Sequence, residues 1–236
     1  MVLKFLLRYV DGMELYRSWA KRKAVPLVHY CEKLNPDIWR ETLDFQKIFE
    51  PWGKAKIKST GVRLGGGGAY TFLYFICRIK RPQTVVETGV AAGWSSAAIL
   101  NALEENGSGK LYSSDLPYKK RTGAENVIGI LVEDKYKKNW DLNINGDKKA
   151  LPEIVKKIEQ VNLFHFDSDK SYRGREFAFK TIQRHLSKDA VLVFDDIQDN
   201  FHFKDLVEQY NLEYLVFEFE GKFFGVIYLQ DQKSVL

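Results

Sequence analysis

Apolar positions Val2, Phe5, Leu6, Tyr9, Val10, Met13 and Tyr16 recur at three- and four-residue steps, which predicts an amphipathic helix over 2–22. Its other face is basic: Lys4, Arg8, Arg17, Lys21, Arg22 and Lys23. An apolar stripe of this spacing packs on a main domain or across a dimer, so a homodimer through these helices is one expectation. The basic face also suits a membrane surface or a partner, the alternative. Pro26 and Pro36 punctuate a second helical stretch, and 51-PWGKAKIKSTGVRLGGGG-68 reads as irregular, because four consecutive glycines suit neither a helix nor a strand interior. The boundary between a helical cap, 1–60, and a main domain, 61–236, is placed there.

From Ala69 the pattern alternates. A helix over 69–80 leads to a strand at 84–88 (TVVET), a helix from about Ser95 to Glu105 and a strand at 110–114. Further strands read at 139–145, 161–167 and 190–195, with helices at 147–159, 173–187 and 201–210. This alternation specifies an α/β, doubly wound, mostly parallel sheet with helices on both faces. The tail breaks the pattern, since EYLVFEFE (213–220), Gly221 and KFFGVIYLQ (222–230) form an antiparallel hairpin and complete seven strands.

Composition narrows the class. The 236 residues are 45% hydrophobic and 14% aromatic, enough to fill one sizeable core with an appended element. The net charge of +5 is spread among opposite charges, which gives nucleic acid no support as a partner. Cys31 and Cys77 stand in apolar surroundings without metal or redox spacing and read as reduced, predicting a cytoplasmic protein. The opening MVLKFLLRYVDGMELY is broken by Arg8 and Asp11, so no secretion signal or transmembrane segment is expected.

Chemistry gathers at predicted strand ends. In 85-VVETGVAAGWSSAAIL-100, Gly89 and Gly93 let backbone N–H groups approach a ligand, and the following helix start favours an anion. The spacing is not the G-x-G-x-x-G of dinucleotide sites, and no Gly-Lys-Ser/Thr follows Gly65–Gly68 to make a phosphate loop. Those glycines read instead as a hinge or a loop bordering the pocket. Asp115 ends the second strand of the alternation, and Asp147 follows Gly146 at a helix start, where it also suits an N-cap. Asp167 ends another strand, with Asp169 and Lys170 beside it, and Asp195 and Asp196 lie 28 and 29 positions further on. In a doubly wound sheet these strand ends face one crevice, and three crowded carboxylates need a cation, Mg²⁺ or Mn²⁺ by their hard oxygens. Both adjacent Asp residues can serve one metal only if the strand ends there and the chain turns.

The pattern Glu87-x-Gly89-x-x-x-Gly93-x-Ser95 resembles the first motif of class I S-adenosylmethionine-dependent methyltransferases. The resemblance implies a cofactor whose methionine carboxylate lies near Gly89 and Ser95 with Glu87 close by, whose ribose hydroxyls meet Asp115, and whose adenine approaches Asp147. Asp167, Lys170 and the Asp195–Asp196 pair resemble the metal-dependent O-methyltransferase branch, combining the Lys of catechol-type enzymes with the Asp-Asp ending of macrocin-type sugar methyltransferases. The implied reaction is divalent-metal-assisted methylation of a hydroxyl on a small phenolic or sugar-containing substrate. Asp167 and Lys170 are its catalytic pair, the lysine acting as base. The alternatives are a metal-independent methyltransferase, a hydroxylase-like relative, or a catalytically silent cofactor-binding scaffold. Trp52, Tyr118, Trp140 and Tyr172 are candidates for an aromatic substrate wall, and His165 and His202 for groups near the pocket.

Overall fold

The structure, a computed structural model, describes residues 2–62, 66–117 and 124–229, with side chains from residue 13 onward. The readings of Gly65, Tyr118 and the side chains of 2–12 lie outside the described residues. Along the chain run α1 (Val2–Lys23), β1 (Ala24–Val25), α2 (Leu27–Leu34), α3 (Pro36–Thr60), α4 (Tyr70–Lys80), β2 (Thr84–Thr88), α5 (Trp94–Asn106) and β3 (Lys110–Ser114). There follow β4 (Trp140–Asn143), α6 (Asp147–Lys157), β5 (Val161–Phe166), α7 (Tyr172–Ile182), β6 (Leu186–Phe194), α8 (His202–Gln209), β7 (Tyr214–Phe219) and β8 (Lys222–Tyr228).

The strands form one sheet in the order β1-β7-β8-β6-β5-β2-β3-β4, in which β8 alone runs antiparallel to its neighbours. Eight strands replace the expected seven. The addition is β1, whose Ala24 and Val25 pair in parallel with Val216 and Phe217. Two residues carry no readable alternation, so this pairing is decided by where α1 delivers the chain.

Alternation along the central strands sends neighbours to opposite faces. Val85, Leu163 and Val191 pack with α4 and α5, whereas Val86, Phe164 and Leu192 pack with α6, α7 and α8. Burial on both faces is why β2 and β5 read as nearly continuous apolar runs.

The segment 51–60 is not irregular, because α3 continues through Pro51 and Gly53 to Thr60 and ends at Gly61 in the left-handed region, φ 67. Trp39, Thr42, Phe49 and Gly53 are buried along it. A Cβ on Gly53 would stand 2.6 Å from the Trp94 indole, so the glycine allows this close approach. Tertiary packing outweighs the breaker signal. Similarly, α7 yields to a 3-10 turn at Gln183–His185, and β6 begins at Leu186, four residues earlier than expected. Among the described residues no helix is long and apolar enough to cross a membrane.

Candidate active site

The carboxyl ends of β2, β3, β5 and β6 lie side by side and open onto a cleft of about 870 Å³. This size suits a small-molecule site. Gly89, Ala91, Asp115, Asp147, Asp167, Lys170, Asp195 and Asp196 all line it, with Gly66 and Gly68 from the glycine run.

The loop after β2 is shaped by close approach. Gly89, at φ 83, could not carry a Cβ, which would lie 2.5 Å from the carbonyl oxygen of Asp167. Gly93, at φ 90, caps α5 and faces Gly129, whose N–H donates to the Ala91 carbonyl at 2.8 Å. Glu87 is wholly buried and accepts hydrogen bonds from Ser95 Oγ (2.5 Å), Ser96 Oγ (2.5 Å) and Ser113 Oγ (2.8 Å). Glu87, Gly93 and Ser95 therefore brace the loop from behind, and none of them lines the cleft.

Asp115 does face the cleft. Its Oδ2 accepts from Ala91 N at 2.8 Å and its Oδ1 from Leu116 N at 2.7 Å. Each oxygen keeps a further lone pair, which leaves room for two hydroxyl donors. Burial pushes its pKa above the ordinary value despite these bonds. Asp147 occupies the first turn of α6 with Gly146 as the cap, so it is not itself the N-cap. Its carboxylate accepts from Ser114 and Ser168, tying α6 to the ends of β3 and β5.

The acid cluster is real in space. Asp167, Asp195 and Asp196 each offer an oxygen such that all three lie within 4.8 Å of one another. The condition set by the adjacent pair is met, because β6 ends at Phe194 and Asp196 turns into the left-handed region at φ 52, ψ 41. Asp tolerates that region better than most residues. Gly68, at φ 52, closes over the cluster, and a Cβ there would stand 2.7 Å from Asp195 Oδ2.

Charge inside the cluster is partly balanced. Lys170 pairs with Asp167 and lies 3.2 Å from Asp196 Oδ2. Burial would lower the Lys170 pKa, but the charges of Asp167, Asp196 and Asp195 outweigh it and raise the value. Asp195 is pushed up to about 7, by burial first and then by the charge of Asp167. Asp196 moves down, since Lys170 and Lys222 overcome its burial.

Two residues escaped the sequence reading. Lys222 reaches in from the start of β8, its Nζ 3.1 Å from Asp196 Oδ1. Buried Arg175 donates to the carbonyls of Asp195 and Asp196 at 2.9 Å each. Nothing in sequence marks Lys222, which the hairpin turn delivers. Arg175 had a signal: an arginine in register with Ala178, Phe179 and Ile182 on an otherwise apolar helix face.

The remaining candidates stand elsewhere. His165 is buried with Nδ1 3.4 Å from Glu87, and His202 bonds to Glu176 at 3.1 Å; neither lines the cleft. Trp52 packs beside Phe49, Trp140 donates to Ser113 at 2.9 Å, and Tyr172 donates to Asp205 at 3.1 Å. None of these three rings forms a cleft wall, whose described residues are glycines, carboxylates, lysines, Asn145 and Ser168, with Ala91 and Leu116 as its apolar side chains.

Comparisons with known proteins agree with this architecture. Residues 86–197 match a family model described as a methyltransferase domain. That span holds the glycine loop and all three acids of the cluster, and the resemblance to class I S-adenosylmethionine-dependent methyltransferases stands. No curated protein matches the chain. Among solved structures, cofactor-bound Rv0187 from MTB aligns with a TM-score of 0.64 at 12% identity, covering 78% of this chain and 90% of that one. The O-methyltransferase from Bacillus cereus in complex with SAH aligns at 0.61 and 12% identity, covering 89% and 100%. TomG, an O-methyltransferase from Streptomyces achromogenes involved in tomaymycin synthesis and solved with SAM, aligns at 0.55 and 13%, covering 78% and 99%. At these identities the likeness is one of fold.

Proposed function

We propose that this chain is an S-adenosylmethionine-dependent O-methyltransferase that uses a divalent cation, Mg²⁺ or Mn²⁺, at Asp167, Asp195 and Asp196. The observation that carries the reading is the joint presence, in one cleft, of the glycine loop with Asp115 and of the acid cluster with Lys170. The first pair suits the cofactor and the second the reacting hydroxyl. The SAM- and SAH-bound relatives of the same fold support the choice of cofactor.

Asp115 would hold the ribose hydroxyls through its free lone pairs, and Gly89 and Ala91 would leave backbone room for the methionine end. Glu87, Gly93 and Ser95 would act beneath the loop by fixing its shape. Asp147 would border the adenine while keeping its bonds to Ser114 and Ser168. The donor set fits the cation: three carboxylates, two of them buried, with oxygen atoms close enough to share one ion. Such a cation would acidify a hydroxyl bound beside it and offset the carboxylate charges.

Lys170, which lines the same cleft, would take the hydroxyl proton. Burial favours its neutral amine, and the charges of the neighbouring carboxylates oppose that and hold its pKa above the ordinary value. A cation held by those carboxylates would offset their charge and lower the Lys170 pKa, which would suit its amine to act as base. Bound S-adenosylmethionine would supply the methyl group to the hydroxyl oxygen and would leave as S-adenosylhomocysteine, the sulfur keeping the electron pair of the broken carbon–sulfur bond.

A second reading draws on Lys170 and Lys222, which already offset part of the cluster charge. In it the chain methylates without a metal. Product formation from labelled cofactor across a panel of catechols, phenols and sugars, with and without chelator, decides between them. Activity abolished by chelator and restored by Mn²⁺ supports the first reading. Chelator-insensitive activity supports the second, and cofactor binding without any methylated product supports a silent scaffold. Failure to bind S-adenosylhomocysteine would overturn both methyltransferase readings.

A further inference from the structure

Arg175 is 1% exposed and lies on the buried face of α7. Its Nη2 donates to two consecutive carbonyls, those of Asp195 and Asp196, and its guanidinium carbon lies 5.2 Å from the centre of the Phe166 ring. Nε and Nη1 have no hydrogen-bond partner among the described residues. The side chain does not line the cleft, so it is outside the substrate and cation contacts proposed above.

Packing alone does not account for an arginine here. A buried guanidinium with unmatched donors is costly, and an apolar side chain of similar volume would fill the face with less desolvation. What arginine supplies is a planar nitrogen with two protons for two oxygens. Consecutive carbonyls of a regular strand point in opposite directions and could not both meet it. They converge here because Asp196 leaves the strand in the left-handed region, at φ 52. That same turn brings both side chains to one side, toward Asp167.

We infer that Arg175 is a positioning residue, which clamps the Asp195–Asp196 turn in the conformation that lets both carboxylates share a cation with Asp167. The inference rests on the divalent-cation reading. Gln198 reinforces the same turn, donating to Asp196 Oδ1 at 3.1 Å while accepting from Phe223 N at 2.9 Å. Arg175 is the only one of the two that grips both carbonyls.

The test is Mn²⁺ titration of the full chain followed by electron paramagnetic resonance, in the wild type, Arg175→Met and Arg175→Lys, with Glu41→Gln as a destabilised control away from the cleft. The expected result is a Kd for Mn²⁺ raised tenfold or more in Arg175→Met with an altered bound-ion spectrum, partial recovery in Arg175→Lys, and wild-type binding in Glu41→Gln. If wild type and both variants bind with the same affinity and spectrum while only Tm falls, Arg175 is merely structural and the inference is overturned, the metal reading standing. If the wild type binds no Mn²⁺, the metal reading falls and the inference with it. Should Arg175→Met not fold, Arg175→Lys carries the comparison, and wild-type affinity in it overturns the inference.

Discussion

Lys222 Nζ stands 3.1 Å from Oδ1 and 3.3 Å from Oδ2 of Asp196, joining the tip of the C-terminal hairpin to the turn that carries the acids. The hairpin tip is itself held from the other side, since Arg17 of α1 donates to the Gly221 carbonyl at 2.8 Å. Cap, hairpin and acid cluster thus meet at neighbouring residues. Trp19 of α1 stacks on Tyr214 and Tyr16 packs edge-on to Phe201, so part of the apolar stripe read at the N-terminus covers this chain's own sheet end.

Removing Lys222 should change metal affinity in the direction opposite to removing an acid. Lys222→Met takes away a cation that competes for both oxygens of Asp196, so Mn²⁺ should bind several-fold more tightly at low salt, with less gain at high salt. Equilibrium dialysis at two ionic strengths checks this. Equal or weaker binding would mean that Lys222 does not compete with the ion.

Asp167→Ala should abolish the loss of free Mn²⁺ signal on titration, raising Kd at least tenfold, because it removes the one cluster acid that follows β5. Binding of S-adenosylhomocysteine measured by calorimetry on the same variant should change little, since Asp115 and Gly89 are untouched. A variant that loses both ligands together would point to collapse of the cleft instead.

Asp115→Asn should weaken S-adenosylhomocysteine about tenfold, the scale of losing charge-assisted hydrogen bonds to hydroxyls. The amide has one oxygen and can accept from only one of Ala91 N and Leu116 N, which bond to different oxygens of Asp115, so a fall in Tm accompanies it. Unchanged calorimetric affinity would remove Asp115 from the cofactor site.

Glu41 of α3 accepts from Tyr74 Oη at 2.7 Å and from Arg78 Nε at 2.5 Å, linking α3 to α4. The Arg78 bond is the largest cause that holds its pKa below the ordinary 4.5. A carboxylate with a lowered folded pKa contributes stability above its unfolded value and loses it as pH falls through the folded one. Urea unfolding of Glu41→Gln should therefore show a deficit of about 1 kcal/mol at pH 7, reduced for solvent screening, that shrinks below about pH 4. A deficit constant with pH would assign the effect to shape rather than charge.

Gly68→Ala should impair the cluster without touching an acid. The position has φ 52, and the new Cβ would press on Asp195 Oδ2 at 2.7 Å. A stability loss of about 1 kcal/mol with a several-fold rise in the Kd for Mn²⁺ is expected. Unaltered binding would show that residue 68 can withdraw from the acids freely.

Strand and helix alternation, the motif glycines and the charged strand ends were all legible from the chain alone, because each is a local pattern that a parallel sheet imposes on its own sequence. The β2 run, the loop at Gly89 and the acids at 167, 195 and 196 came directly from that logic, as topology carries strand ends to a common edge whatever lies between them. Tertiary structure decided the rest. It extended α3 through Pro51 because the Trp94 ring meets Gly53, and it added β1 because α1 sets the chain beside β7. It turned Asp196 out of the strand by the grip of Arg175, and placed Lys222 on the cluster through the hairpin. It also set Glu87 and Ser95 behind the glycine loop, where mutual hydrogen bonds satisfy a buried carboxylate. These outcomes depend on which surfaces meet across long stretches of sequence, and no local spacing contains that information.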